Sequence, residues 1–322
     1  MTSTNLPATG AADVWSVTDL SCWEILEPET QGSGTSRWVL EPSTGLRWLH
    51  KDTTIPSNGV EQGEDWAEVV STQIATSLNV PRATARLCLC RGRRGSISLD
   101  LNQDASAFVH GGEWLEDTGV PDFDNWRQRP SRGRQRRSPG GTFQRGHSLT
   151  NIRQSLQDVQ PPPGVPAGLT AFDVFAGYLV LDAIVANRDR HEFNWAVLRS
   201  VMRHEPHRLC PSFDHGATLG HNLTDERRAA WLPRVEDFAA QGTAHRFEHR
   251  RPPPTLVQIA GAALAMATPP GRSYWTEAVA RFRFDRIRLD GPLPGMSELA
   301  LVFARELVGI NVRRVLDAIA TG

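Results

Sequence analysis

Between Ala171 and Ala186 the chain carries an apolar run at helical spacing, and it opens directly into Asn187-Arg-Asp-Arg-His-Glu-Phe-Asn194. Phe172, Phe175, Leu179 and Ile184 mark one face, and Val174, Tyr178 and Val185 widen it until little polar surface remains. A helix of that kind belongs in a core. A structural loop has little use for so many ionisable side chains immediately behind a core element, so the chain must be arranged to hold this loop at a working surface. Within it Asp189 and Asn194 stand five apart, and a further carboxylate, Asp214, follows twenty residues on in Ser212-Phe213-Asp214-His215-Gly216.

A second constraint is compositional. Of 35 basic residues in the 322-residue chain, all but Lys51 are arginine. Arginine's planar fork does not replace a compact ammonium on a flexible stem, so a surviving lysine points to a site that needs the ammonium. The remaining bulk numbers are ordinary: 39% hydrophobic, 22% charged, net charge −1. They fit a soluble protein of one large or two closely packed domains, and they exclude a molecule that binds nucleic acid by overall charge. Cys22, Cys88, Cys90 and Cys210 show neither zinc spacing nor a disulfide framework. There is no secretory leader pattern and no run near the ~20 residues of a membrane helix, so a cytoplasmic protein is expected.

Residues 1 to 14 lack periodicity and read as a loose tail. Trp15 to Leu26 suggests a short element, followed by Gly32-Ser-Gly-Thr35, whose small residues let backbone N–H groups approach an anion. Arg37 to Leu40 and Leu46 to Lys51 read as strands joined by a turn at Pro42 to Gly45. Trp66, Val69, Val70, Ile74 and Leu78 then recur at helical spacing, with Pro81 as the stop. Glu64 and Glu68 lie off that stripe, one turn apart, either able to pair with Lys51. Arg86 to Cys90 and Ser96 to Leu101 read as strands leading to a hinge near Asn102 to Ala107. Phe193 to Leu198 and Arg208 to Phe213 look like a hairpin with Asn194 at one end and Asp214 at the other. Helices are expected over Thr224–Leu232, Leu256–Met266, Ser273–Phe284 and Ser297–Ala320, with breaks at the prolines of 252–254, 269–270 and 292–294.

From Trp126 to Gln157 there is no acidic residue, while arginines stand at 127, 129, 132, 134, 136, 137, 145 and 153. As a solvated insertion the stretch needs no partner. As a docking site, Arg127 to Arg153 would take an anionic partner such as RNA, a phosphorylated segment or an acidic protein surface. No aromatic lies between Arg127 and Thr142, which gives no support for single-strand stacking.

Singly, each aspartate reads equally well as a cap or turn residue. In this order, and with Lys51 and the glycine turn ahead of them, they fit phosphoryl transfer. That chemistry uses an aspartate for the nucleophile's proton, an asparagine five residues on for Mg²⁺, and a second carboxylate for the metal on a tight turn. The expected roles are Asp189 as base, Asn194 and Asp214 as Mg²⁺ ligands, and Lys51 on the ATP phosphates. Gly32, Ser33, Gly34 and Thr35 form the phosphate turn, with Glu68 or Glu64 pinning the lysine. His191 would meet the γ-phosphate, as a neutral or charged imidazole, and Arg190 would be free for a structural salt bridge. A metal-dependent hydrolase built on His204 and His207 is disfavoured, because Arg203 and Arg208 flank the pair and no His-Glu-x-x-His pattern occurs.

With these residues in hand, the chain resembles the HipA-like kinases, a branch of the protein kinase and phosphatidylinositol kinase-like fold. Asp189-Arg-His191-Glu-Phe-Asn194 resembles the family's Asp-x-His-x-x-Asn loop. Leu209-Cys-Pro211-Ser-Phe213-Asp214 resembles its Leu-x-Pro-x-Tyr/Phe-Asp segment. Glu68, with Ile74, Ala75 and Leu78 behind it, resembles the small-lobe helix and favours Glu68 over Glu64. The resemblance spans residues 30 to 220. It implies an α+β, two-lobed protein-kinase-like fold, with a small β-rich lobe over 15–105 holding one key helix and a larger, mainly helical lobe over 106–322. It also implies an ATP-dependent Ser/Thr kinase, controlled by autophosphorylation near the phosphate loop. The Asp-His-Gly turn is closer to the lipid-kinase branch, and the basic insertion at 126–157 has no counterpart in the family pattern. The acceptor could be a protein, as for a toxin-like kinase acting on a translation protein, or a small molecule or natural product. A regulatory pseudokinase binding a partner through the arginine insertion is the non-enzymatic alternative, and intact Lys51, Asp189, Asn194 and Asp214 count against it.

Lys51→Arg follows the chain's own bias yet should lower kcat/KM for ATP by at least ~10-fold, or ~1.4 kcal/mol. Stability should move by no more than ~0.5 kcal/mol, as judged by the melting temperature of the same variant. Wild-type activity would make the lone lysine an accident of composition.

Overall fold

The computed structural model describes residues 14–28, 36–102, 106–121, 123, 142–202 and 204–321. The tail to residue 13, the glycine turn Gly32–Thr35 and residues 124–141 of the arginine-rich stretch lie outside them.

The N-terminal part is one six-stranded sheet. Its strands are β1 (Val17–Asp19), β2 (Glu24–Pro28), β3 (Arg37–Leu40), β4 (Arg47–Asp52), β5 (Ala85–Cys90) and β6 (Arg93–Leu99), in the order β1-β5-β6-β4-β3-β2. Trp15 to Leu26, expected as a single short element, supplies two of them, at opposite edges. All neighbours are antiparallel except β1 with β5. Side chains alternate faces along each strand, and that alternation sorts the lobe. Trp48 and Ile97 join Val39, Cys88 and Cys90 in a small cluster on one face. The opposite face carries Leu87 and takes helix α1 (Glu64–Ser77), whose Trp66, Val69, Val70 and Ile74 are buried against it. Lys51 pairs across the sheet with Ser96, and Ser96 with Leu87. The lone lysine therefore stands on the α1 side.

Beyond residue 106, β7 (Ala107–His110), β8 (Ala196–Arg199) and β9 (Arg208–Leu209) form a second antiparallel sheet. The expected hairpin is present, although its second strand is only two residues long. Short helices α2 (Gly111–Asp117) and α3 (Leu149–Ser155) precede α4 (Ala171–Val185), all 15 residues of which are buried. After α5 (Asp225–Trp231) and α6 (Val235–Ala240), helices α7 (Leu256–Met266), α8 (Pro269–Arg281) and α9 (Glu298–Thr321) enclose α4. Pro269 and Pro270 do not break the chain there. They occupy the first turn of α8 behind the Thr268 cap, where their missing N–H groups cost nothing. Asp173 explains the tight junction: it completes the Thr170 capping box of α4 and also accepts from the Thr268 N–H at 2.7 Å and the Thr268 hydroxyl at 2.8 Å.

The chain's last segment returns to the small lobe. Trp15 Nε1 donates to Arg288 O at 3.1 Å, and the 3₁₀ turn Phe284–Ile287 packs on α1. Arg94 binds Glu61 Oε2 at 3.0 Å, Gln62 O at 3.2 Å and Pro294 O at 3.1 Å. Its guanidinium lies so close to Gly295 that a Cβ there would sit 0.7 Å from Nη1. Among the described residues no helix is long and apolar enough to cross a membrane.

Asp65, in the first turn of α1, is 2% exposed and 3.5 Å from Arg94 Nη1. Burial raises its carboxyl from 3.8 to about 6; Arg94 opposes the rise and Glu61 adds to it. The native state then holds this proton more tightly than the unfolded chain, so the group's stabilisation is full below pH 3.8 and lost as pH rises to 6. A rise from 3.8 to about 6 corresponds to roughly 3 kcal/mol. The melting-temperature difference between Asp65→Asn and wild type should therefore grow in the variant's favour from pH 4 to pH 7. A difference independent of pH would show that the carboxylate is ionised throughout.

Candidate active site

The site begins where α4 stops. Ala186 takes a left-handed conformation at φ 58° and turns the chain back over the helix end. Asp182, one turn inside α4 and 1% exposed, receives it. Its backbone carbonyl accepts from Asn187 N at 2.8 Å, and Oδ1 accepts from Asn187 Nδ2 at 2.8 Å. Arg190, 2% exposed, completes the anchor with Nε on Oδ2 and Nη2 on Oδ1, both at 2.8 Å. The same guanidinium donates from Nη2 to Ser212 Oγ at 2.9 Å and from Nη1 to Asn194 O. Arg190 thus makes a structural ion pair and fixes both ends of the polar loop.

Asp189 sits on this frame with its N–H on Asn187 Oδ1 at 3.0 Å. Its Oδ1 accepts from Arg246 Nε at 2.8 Å, and Arg246 Nη2 meets the same oxygen. Asp189 Oδ2 is 3.8 Å from His191 Nε2. His191 Nδ1 accepts the Phe193 N–H at 3.1 Å, which requires the neutral ring with its proton on Nε2. Burial pushes the His191 pKa down as well, against the pull of Asp189, Glu192 and Asp214. Asn194 donates from Nδ2 to Asp189 O at 2.8 Å, so the atom it has left for a cation is its amide oxygen. The far side of the loop is held by α2: Gly111 N and Gly112 N donate to Trp195 O at 2.8 Å and Glu192 O at 2.9 Å. Only glycine allows this approach, since a Cβ on residue 111 would lie 2.0 Å from the Trp195 ring.

Asp214 comes from the turn after β9, in the left-handed region at φ 61°, a conformation a non-glycine residue adopts at some cost. Lys51 Nζ reaches across from β4 to its Oδ1 at 2.9 Å, the two side chains being 36% and 35% exposed. Desolvation works against the Asp214 carboxylate, but Lys51, together with His191 and His215, holds its pKa below the ordinary value. Glu68 meets the Asp214 turn through His215. It accepts the His215 N–H and lies 3.4 Å from His215 Nδ1, while His215 Nε2 meets Ser212 Oγ at 2.8 Å. The glutamate of α1 is therefore joined to the Asp214 turn, and Lys51 pairs with Asp214.

Lys51, Asp214, His191, Asp189 and Asn194 are thus brought into one cluster between the sheet and the helical part, beside the loop that α4 delivers. Glu64 is directed elsewhere, accepting the Thr54 N–H at 3.3 Å. An aromatic ladder of Phe213, Phe108, His110, Phe193 and His191, with centroid separations of 5.1 to 5.8 Å, ties β7 to both the Asp214 turn and the loop. Sequence reasoning missed Asp182, Arg246 and the structural role of His215. Asp182 had a signal, being one of only two acidic residues in the apolar run, with Asp173. Arg246 is 57 residues from its partner and had none.

The described side chains fit a nucleotide-bound Mg²⁺. Asp214 and Asn194 offer hard oxygens, and no group of three or more His, Cys, Asp or Glu among the described residues forms an all-protein cage. Mg²⁺ normally takes one or two protein ligands and completes its shell with phosphates and water.

No family model and no curated protein matches the sequence. In shape the chain is similar to the crystal structure of the Helicobacter pylori proinflammatory kinase CtkA, with a TM-score of 0.62 and 16% identity over 95% of this chain and 98% of that one. It is also similar to the structure of HipA from the Shewanella oneidensis MR-1 toxin–antitoxin complex with HipB and operator DNA. That TM-score is 0.44, at 10% identity over 94% of this chain and 69% of that one. The likeness to CtkA, over nearly all of both chains, shows the fold. This is a two-lobed kinase fold with a small β-rich lobe and a larger, mainly helical one.

Removing Asp182 strands a buried guanidinium. Asp182→Ala should cost about 3–5 kcal/mol, read as a lowered denaturation midpoint, whereas Asp189→Ala, at the half-exposed rim, should cost far less. Equal losses in the two variants would show that Asp182 does not anchor the loop.

Proposed function

We propose that the protein is an ATP- and Mg²⁺-dependent phosphotransferase that moves the γ-phosphoryl group of ATP onto an alcohol, specifically a serine or threonine hydroxyl of a protein, its own chain included. The observation that carries this reading is the 2.9 Å contact between Lys51 Nζ and Asp214 Oδ1, made within a cluster that includes Asp189, His191 and Asn194 on a kinase fold. The serine/threonine acceptor is supported by the resemblance of the Asp-x-His-x-x-Asn and Leu-x-Pro-x-Phe-Asp motifs to those of the HipA-like kinases. A cytoplasmic setting, where ATP is available, suits cysteines that are all free thiols.

The residues divide the work by what each can donate or accept. Asp214 and the Asn194 amide oxygen would hold Mg²⁺, and MgATP would supply the activated phosphoryl group. Lys51 places a compact positive charge at the lobe boundary, where phosphate charge would lie. With Oδ1 taken by Arg246, Asp189 has Oδ2 to orient the acceptor hydroxyl and receive its proton. His191 offers its Nε2–H as a neutral donor beside that oxygen. It is not a cation for the γ-phosphate. Phosphoryl transfer asks little more of a protein than such placement of charge and nucleophile.

ATP with Mg²⁺ should raise the melting temperature by RT ln(1 + [L]/Kd), about 2.7 kcal/mol at a hundred times Kd. Asp214→Ala should abolish the difference between ATP with and without metal. Stabilisation by ATP that ignores Mg²⁺ in the wild type would remove Asp214 and Asn194 as ligands. Incubation with γ-labelled ATP tests the acceptor. Label on the protein itself or on a protein substrate fits the reading, and label passing only to small molecules in an extract replaces it with a metabolite kinase.

A further inference from the structure

We infer that Arg188, His245 and Arg246 form a subsite for a negatively charged group on the phosphoryl acceptor, so that the serine or threonine used is one with an anionic neighbour. The inference rests on the phosphotransferase reading, because it takes Asp189 as the residue that meets the acceptor hydroxyl.

Two arginines and a histidine from two segments converge beside that one carboxylate. Arg246 lies on Asp189 through Nε and Nη2, which leaves Nη1 as the part of its fork for a ligand; the side chain is 37% exposed. Arg188, next to Asp189 in sequence and exposed, reaches back with Nη2 to Thr243 Oγ1 at 3.4 Å. His245 binds Thr243 O through Nδ1 at 3.3 Å, and burial, with Arg246 and Arg188 beside it and against the pull of Asp189, pushes its pKa down, so it joins the group as a neutral ring. The 243–248 segment is fixed rather than loosely draped: Phe247 N donates to Ala244 O at 3.1 Å, Glu248 N to His147 O at 2.8 Å, and the His147 ring meets Arg246 O at 2.8 Å. The acid nearest in sequence to this group, Glu248, is directed to the Gly146 N–H.

Between the segments lies a small recess lined in part by Asn187, Arg188, Ala244, Arg246 and Phe247. It has no depth for a buried ligand, so an anion would lie across its mouth, between the two guanidinium groups. Two permanent cations facing one carboxylate leave a net positive charge on the acceptor side. Planar guanidinium forks match carboxylate and phosphate oxygens. A basic residue flanking the acceptor would be repelled from the same place, and that repulsion is half of the discrimination. The anion can be an Asp or Glu side chain, or a phosphoryl group left by an earlier phosphorylation.

The test uses the full chain and a set of serine peptides identical except at the flanking positions, which carry Asp, phosphoserine, Gln or Lys. ATP hydrolysis without peptide is measured alongside. The acidic and phosphorylated peptides should exceed the Gln peptide in kcat/KM by at least ~5-fold, mainly through KM, with the advantage shrinking as salt is raised. The ratio between the Asp and phosphoserine peptides identifies which anion is preferred. Arg188→Ala should reduce the advantage by ~3-fold or more without changing ATP hydrolysis, and Arg188→Glu should turn the preference toward the Lys peptide. Because Arg188 is exposed, both variants should melt with the wild type. ATP hydrolysis with equal use of acidic and neutral peptides, or an acidic preference intact in Arg188→Glu, overturns this inference alone. Absence of both hydrolysis and transfer overturns the phosphotransferase reading and this inference with it.

Discussion

Asp182 places a charge inside a helix that is buried along its whole length, and the site depends on how that charge is compensated. A buried carboxylate without partners is driven toward its neutral form, and a buried guanidinium without partners is worse. Here each satisfies the other through two parallel hydrogen bonds, and their spare capacity is spent on the loop: Asn187 on the acid, Asn194 O and Ser212 on the base. A buried pair of this kind is not obviously stabilising compared with apolar residues of the same volume. What it supplies is position. The loop has no regular secondary structure between α4 and β8, yet its two ends, the Asn187 amide and the Asn194 carbonyl, are set by one carboxylate and one guanidinium.

The same frame explains how the small lobe is coupled to the larger one. Arg190 donates to Ser212 Oγ, the Ser212 hydroxyl faces His215 Nε2, and the other edge of the His215 ring faces Glu68 of α1. Two residues from Ser212, Asp214 receives Lys51 from β4. The turn from 212 to 216 therefore meets both the sheet and α1 of the small lobe, and is itself anchored through Arg190 to α4, which leads into the 187–194 loop. The return of the C-terminal segment to Arg94 and Trp15 adds a tie on another side of α1.

Much of this architecture was legible in the sequence because local chemistry and tertiary role agreed. The stripe of α1, the apolar run of α4, the β5–β6 hairpin and the Asp189–Asn194 spacing are patterns of a few residues that tertiary structure did not override. The errors are equally physical. Pro269-Pro270 stands both where a helix cannot continue and where one may begin, and the Thr268 cap that decides between them is stabilised by Asp173, nearly a hundred residues away. The His215 contact of Glu68 was not legible, because it depends on a loop packed from the other lobe. Arg246 was invisible for the same reason, as one arginine among 34.

That arginine excess gives the lone lysine its meaning. The arginines that matter here act as forks. Arg94 joins Glu61, Gln62 O and Pro294 O; Arg190 joins Asp182, Asn194 O and Ser212; Arg246 grips one oxygen of Asp189 with two nitrogens. Arg94 and Arg190 each hold several fixed groups at once, and a compact ammonium would lose that geometry. Lys51 has the opposite task. It projects from a strand at a lobe boundary toward one carboxylate oxygen, in a half-exposed position where an incoming phosphate would compete for it. A point charge on a flexible stem can be shared between Asp214 and a ligand without rearranging its neighbours, whereas a planar fork bound to one would have to turn to meet the other. Arg94 and Arg190 serve fixed sets of partners, whereas Lys51 stands at a half-exposed position where an incoming phosphate would compete with Asp214 for it.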